Sequence, residues 1–198
     1  MAKSKTAFLD IDTQHDFMDP DGALTIPGAR KIVANLKRLV QYSAQNKIPI
    51  LSSMDAHRPD DPEFKDFPPH CVKGSPGQQK IKETLLPGAI RIPAIPGVLP
   101  DNVPPGTQMI FDKPTLYLFD NPNFMEHVKQ QGYEAFVVFG VATDYCVKII
   151  AEGLIQRGYK VTVVTDAIAP VVPEAGKGAL ESMKRAGVTF KTAGEIAR

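Results

Sequence analysis

Two thiols occur in the 198 residues, Cys71 and Cys146. Cys146 follows an apolar run, Glu134–Gly140, and falls in the first turn of a helix that Thr143 is placed to cap. Free backbone N–H groups and the helix dipole favour negative charge at such a position. A thiolate is stabilised there, and its pKa is expected to fall. The same N–H groups suit the oxyanion of a tetrahedral intermediate. The plain alternative is a packed core thiol. Asp12 and Lys113 fit as partners. A lysine ammonium favours the thiolate, and an aspartate can take the thiol proton and pass it to a leaving amine. Their plain alternatives are a turn-forming Asp12 and a surface Lys113. No histidine lies in the nucleophile segment, which argues against a papain-type Cys-His pair.

A second constellation runs through Asp55, His57, Glu63 and His70. Two imidazoles and two carboxylates suit one borderline divalent ion such as zinc, iron or manganese. The spacing is not that of a zinc finger. A loop-capping Asp55 and a solvated Glu63 are the plain alternatives. His15 and His127 carry less chemistry, and His127 reads as solvated on a polar helix face. Cys71 reads as loop packing.

These residues need elements that bring them together. Apolar runs alternate with amphipathic ones. Strands are expected at 6–12, 48–54, 108–111, 134–140, 160–165 and 188–191, with a short one at 89–93. Helices are expected at 29–45, 78–86, 121–131, 143–157 and 174–186. In 29–45, Ile32, Val33, Leu36, Leu39 and Val40 recur at helical spacing; Asn121 or Asn123 caps the helix at 121–131. The alternation predicts one α/β domain over 1–198, with three α/β/α layers around a mostly parallel, Rossmann-like six-stranded sheet. Ligands bind beyond the carboxyl ends of such strands. Asp12, Asp55, His57, Asp112, Lys113, Cys146 and Asp166 all follow strand runs, so they are expected on one rim. The stretch from 59 to 122 is rich in proline and reads as site-building loops.

Composition excludes several classes. The net charge is +1 and no basic block is present, so bulk-charge binding to nucleic acid or membrane surfaces is not indicated. No apolar run is long enough to span a bilayer. The first residues, Met-Ala-Lys-Ser-Lys, lack the pattern of a signal peptide. With two cysteines, this suggests a reducing cytoplasm. The expected partner is a small-molecule amide; a homo-oligomer is compatible with the sequence.

The same residues carry a resemblance. Ile11-Asp-Thr-Gln-His-Asp-Phe17, Asp55-Ala-His57, Pro68-Pro-His-Cys-Val-Lys-Gly-Ser-Pro-Gly77, Lys113 and Gly140-Val-Ala-Thr-Asp-Tyr-Cys146 occur in the order of the motifs of the isochorismatase-like cysteine hydrolases. Within them the chain resembles the nicotinamidases (pyrazinamidases), over nearly its whole length. The resemblance implies Asp12, Lys113 and Cys146 as catalytic residues. It implies a cis peptide at Val141–Ala142 and an oxyanion hole from the amides of Ala142 and Cys146. It implies a metal held by Asp55, His57 and His70, zinc foremost, with Glu63 standing where many nicotinamidases have a histidine. It implies a ring sandwiched by Phe17 and Phe67, with Tyr117 or Phe119 contributing. The implied reaction converts nicotinamide to nicotinate and ammonia through a thioester. The alternatives are a ureido- or carbamoyl-amide hydrolase, which lacks the metal histidines, and a non-catalytic binding protein on the same fold.

Overall fold

The computed structural model describes residues 5–198. Met1–Ser4, part of the segment read for a leader peptide, lie outside the described residues. Seven parallel strands form one sheet: β1 (Thr6–Ile11), β2 (Ile50–Asp55), β3 (Ile90–Ile92), β4 (Gln108–Lys113), β5 (Ala135–Val141), β6 (Lys160–Ala169) and β7 (Thr189–Lys191). Their order is β3-β4-β2-β1-β5-β6-β7. The expected six-stranded sheet therefore gains a strand. The seventh is the short strand expected at 89–93: β3 lies at the sheet edge and pairs with β4 through Ile90↔Met109 and Ile92↔Phe111.

Helices α1 (His15–Met18), α2 (Ala29–Gln45), α3 (Pro122–Gln131), α4 (Lys148–Gln156), α5 (Pro173–Ala186) and α6 (Ala193–Ile196) cover the sheet. Two apolar cores result, one on each face. Ala7, Leu9 and Ile11 of β1 pack with Phe124, Ile150 and Met183 from α3, α4 and α5. Phe8 packs with Leu36, Leu39 and Val40 of α2 on the other face. Strands buried on both sides read as continuous apolar runs, as 134–140 does. Asn121 is the cap of α3, its side chain accepting from Asn123 N–H at 3.0 Å. Among the described residues, no helix is long and apolar enough to cross a membrane.

Three expectations need correction here. No helix spans 78–86; a single short turn, Pro76–Gln78, is followed by loop. The reason is Lys80, whose ammonium is buried on Asp10 at 2.8 Å while its backbone bridges Gln14. A solvated helix face cannot make that contact. His127 is 4% exposed, not solvated, and its ring packs against Phe111 and Tyr133. Finally, β6 does not end at 165. Val138 pairs with Val163 but Gly140 with Ile168, so a bulge carries the strand on to Ala169. Asp166 lies within it and accepts from Ala193 N–H at 2.7 Å, away from the rim.

Candidate active site

The strand order reverses direction between β1 and β5, and a crevice opens there at the carboxyl ends. Asp12 leaves β1 with φ 48°, which turns its side chain into the sheet end. Asp55 closes β2 and Lys113 closes β4, in register with each other. Cys146 follows β5. The Lys113 ammonium is fully buried. It lies 3.3 Å from Asp12 Oδ2, 3.5 Å from Cys146 Sγ, 3.1 Å from the Thr115 carbonyl, and against Asp55 Oδ1. Ser53 Oγ donates to Asp12 Oδ1 at 2.6 Å. The structure therefore brings Asp12, Lys113 and Cys146 together. Asp112, on the same strand end, turns away and pairs with Arg91 at 2.6 Å.

The charges in this cluster hold one another. Burial alone would lower the Lys113 pKa, but Asp12 and Asp55 outweigh it and hold the ammonium well above its usual range. Burial, with the neighbouring Asp55, raises Asp12 against the pull of Lys113 and Ser53. The expected fall of the Cys146 pKa is not found. Burial foremost, then Asp12 and Asp55, push the thiol up despite Lys113. At this turn, burial together with the two carboxylates outweighs Lys113.

The nucleophile segment is a widened turn, Thr143–Val147, feeding α4. Val147 N–H bonds the Ala142 carbonyl at 3.0 Å, an i→i+5 contact. Thr143 does not cap it. Ala142 holds the cap position and no side chain caps the turn. The Val141–Ala142 peptide is cis, as the resemblance implied. Asp144 ties the turn to the segment after β6 by accepting from Val171 and Val172 N–H, at 2.9 and 3.0 Å.

Beside this cluster four donor atoms face one gap. Asp55 Oδ2 lies 3.7 Å from His57 Nε2 and 3.9 Å from His70 Nε2. Glu63 Oε1 lies 4.0 and 3.8 Å from the same two nitrogens. Asp55, His57 and His70 are buried, and neither ring nitrogen of His57 makes an aligned hydrogen bond. Buried polar atoms without partners are costly. Two imidazole nitrogens and two carboxylate oxygens converging at this spacing fit a divalent cation, and Asp55, His57 and His70 form a buried group that could hold one. Asp55 stays below the usual carboxylate range: burial opposes this, but Lys113 and His57 prevail. Burial raises Glu63.

A cavity joins the two clusters; Asp12, Asp55, Glu63, His70, Ala142 and Cys146 line it. Phe17 and Phe67 form part of its wall. Tyr117 and Phe119 do not. Tyr117 is 51% exposed. Phe119 stacks under the Arg157 guanidinium, 3.9 Å from the ring centroid, and against Phe124. Which way an irregular loop turns its aromatics is set by distant contacts. The wall residues missed were Leu24, Ile26, Leu116, Tyr145 and Val171. Tyr145 alone had a signal, its place beside Cys146; its ring meets Phe67 edge-on at 5.9 Å. Cys71 is loop packing, buried in the α2-side core.

A parallel α/β sheet with a thiol, a carboxylate and an ammonium packed at its switch point has the layout of a hydrolytic enzyme. The isochorismatase domain model matches residues 6–195, and the chain belongs to the isochorismatase family. It is 27% identical to the nicotinamidase of Escherichia coli, over 94% of each chain. It is 26% identical to a "Probable inactive nicotinamidase" of Arabidopsis thaliana, over 94% of this chain and 92% of that one. Among solved structures it is similar to the pyrazinamidase of Pyrococcus horikoshii in complex with zinc. The TM-score is 0.78 and the identity 25%, covering 96% of this chain and 99% of that one.

Proposed function

We infer that this chain is a cysteine amidohydrolase of the nicotinamidase type, cleaving nicotinamide to nicotinate and ammonia. One observation carries the reading: Cys146, the candidate metal ligands Asp55, Glu63 and His70, and the aromatic rings of Phe17 and Phe67 line one cavity. A flat heteroaromatic amide has a matching pair of ends, a ring nitrogen and a carboxamide. Zinc, held by Asp55, His57, Glu63 and His70, would supply a Lewis-acid anchor for the ring nitrogen.

Asp12 accepts the Cys146 proton. Its raised pKa makes it a stronger base than an ordinary aspartate. The negative charge then moves from Asp12 to Sγ, and both lie within 3.5 Å of the same ammonium. The net charge of the buried set does not change, so the transfer needs no new solvation. The thiolate attacks the amide carbon, and the amides of Ala142 and Cys146 receive the oxyanion. Asp12 returns its proton to the departing ammonia. Water, deprotonated by Asp12, hydrolyses the thioester and frees the carboxylate.

The test is ammonia release from nicotinamide, pyrazinamide and ureido compounds, with and without chelator. Nicotinamide should be cleaved, chelator should suppress it, and Cys146→Ala should abolish it. Cleavage of ureido compounds alone, indifferent to chelator, would assign the chain to the carbamoyl-amide branch. No release from any amide would make it a non-catalytic member.

A further inference from the structure

Each imidazole aimed at the cation gap has a second nitrogen, and what that nitrogen meets decides where its proton sits. His70 Nδ1 lies 2.8 Å from the Pro68 carbonyl. A carbonyl only accepts, so this nitrogen carries the proton and Nε2 presents its lone pair. The fully buried His57 has a different arrangement. Its Nδ1 lies 3.1 Å from Asp61 Oδ2, while Nε2 faces Asp55 and Glu63. The other oxygen of the same carboxylate, Oδ1, accepts from Glu63 N–H at 3.0 Å and opens the turn Pro62–Lys65. Asp61 is itself anchored, its N–H donating to the Arg58 carbonyl and its carbonyl accepting from Phe64 N–H, both at 3.1 Å.

We propose that Asp61 is a positioning residue for the metal centre, one carboxylate setting two ligands at once. Oδ2, 3.1 Å from Nδ1 though not aligned as a hydrogen bond, holds the His57 proton on that nitrogen by its charge, leaving Nε2 free to bind, and Oδ1 fixes the backbone that presents Glu63. Carboxylates in this outer position orient a ligating histidine and raise its basicity. The proposal rests on the metal reading above. It adds a residue that touches neither the ion gap's four facing atoms nor the thiol. Nothing in the sequence singles out Asp61; only the folded turn places its two oxygens against His57 Nδ1 and the Glu63 N–H.

Asp61→Asn tests it in the full-length protein. Asparagine is as good a turn cap as aspartate, so its oxygen keeps the Glu63 N–H. Its NH2 then faces His57 Nδ1 and forces the ring proton onto Nε2, where it blocks the ion. Zinc affinity, measured by competition with a chromogenic chelator, should weaken roughly 10–100-fold in Asp61→Asn and also in Asp61→Ala. Stoichiometry should stay at one ion per chain, and the saturated cobalt(II) spectrum should keep its shape. The melting temperature of the metal-free variants reports whether they fold. Wild-type affinity in Asp61→Asn with a loss only in Asp61→Ala would reduce Asp61 to a turn cap and overturn the proposal. A changed cobalt spectrum at saturation would make Asp61 a ligand itself and also overturn it. A wild-type chain that binds no zinc would overturn both this proposal and the metal reading beneath it.

Discussion

At Lys113 one ammonium meets two carboxylates and a thiol, all out of water. Lys113→Met would leave Asp12 and Asp55 buried and uncompensated. Removing one partner of such a set costs on the order of 3–5 kcal/mol, read as a lower urea midpoint, and amide hydrolysis should be lost as well. An unchanged midpoint would mean that water reaches the cluster. The pH profile tests Asp12. As the base, it must be ionised; its raised pKa means that activity grows only above the ordinary carboxylate value of about 3.9. The acidic limb of kcat/KM should therefore lie above that value, and a limb at or below it would take the role of base away from Asp12. These residues were legible in the sequence because each directly follows a strand run, and strand ends of a parallel sheet meet. Tyr117 and Phe119 were misread because loop aromatics have no such rule. The thiol's pKa was misread because burial raises it most, and Asp12 and Asp55, far from Cys146 in sequence, add to that.

Between β1 and β5 the approach is closer than any side chain permits. Gly140 sits at φ 117°, opposite Ile11, and a Cβ there would stand 2.1 Å from the Ile11 carbonyl oxygen. That contact brings Asp12, one residue past Ile11, beside the turn that carries Cys146. Gly140→Ala should be destabilised by roughly 2–4 kcal/mol, combining backbone strain with overpacking. The urea midpoint should fall at constant slope, and kcat should fall more than KM rises, because the reacting groups lose their alignment. A variant of native stability and activity would show that the two strand ends can part without consequence. At this scale the sequence was readable where period and burial agree, as in α2 and β5. It misled at 78–86, where Lys80 looks like a solvated helical residue and is in fact a buried partner of Asp10. It also misled at β6, because a bulge keeps the strand paired beyond the point where its apolar pattern breaks at Thr165 and Asp166.

Across the whole molecule the metal ligands link unequal parts. Asp55 closes a central strand. His57, Glu63 and His70 come from a loop whose regular structure is one short turn and a single bridge, His57↔Val72. Loops with so few backbone hydrogen bonds open locally at low free energy. An ion bound only by the folded chain adds stability as RT ln(1 + [L]/Kd), about 2.7 kcal/mol at a hundred times Kd. For a chain of this size that is a rise of roughly 5–10 °C in melting temperature. Scanning calorimetry with buffered free zinc should show the rise, and chelator should reverse it. Amide hydrogen exchange should locate the effect: protection should increase across residues 58–71 far more than in β1 or β5, which are central strands paired on both sides. Equal protection everywhere, or no shift in melting, would mean that the four donors do not act as one site. The cavity wall that includes Phe67 and His70 would then be organised without an ion, and the ring-nitrogen anchor in the proposed reaction would have to come from another group.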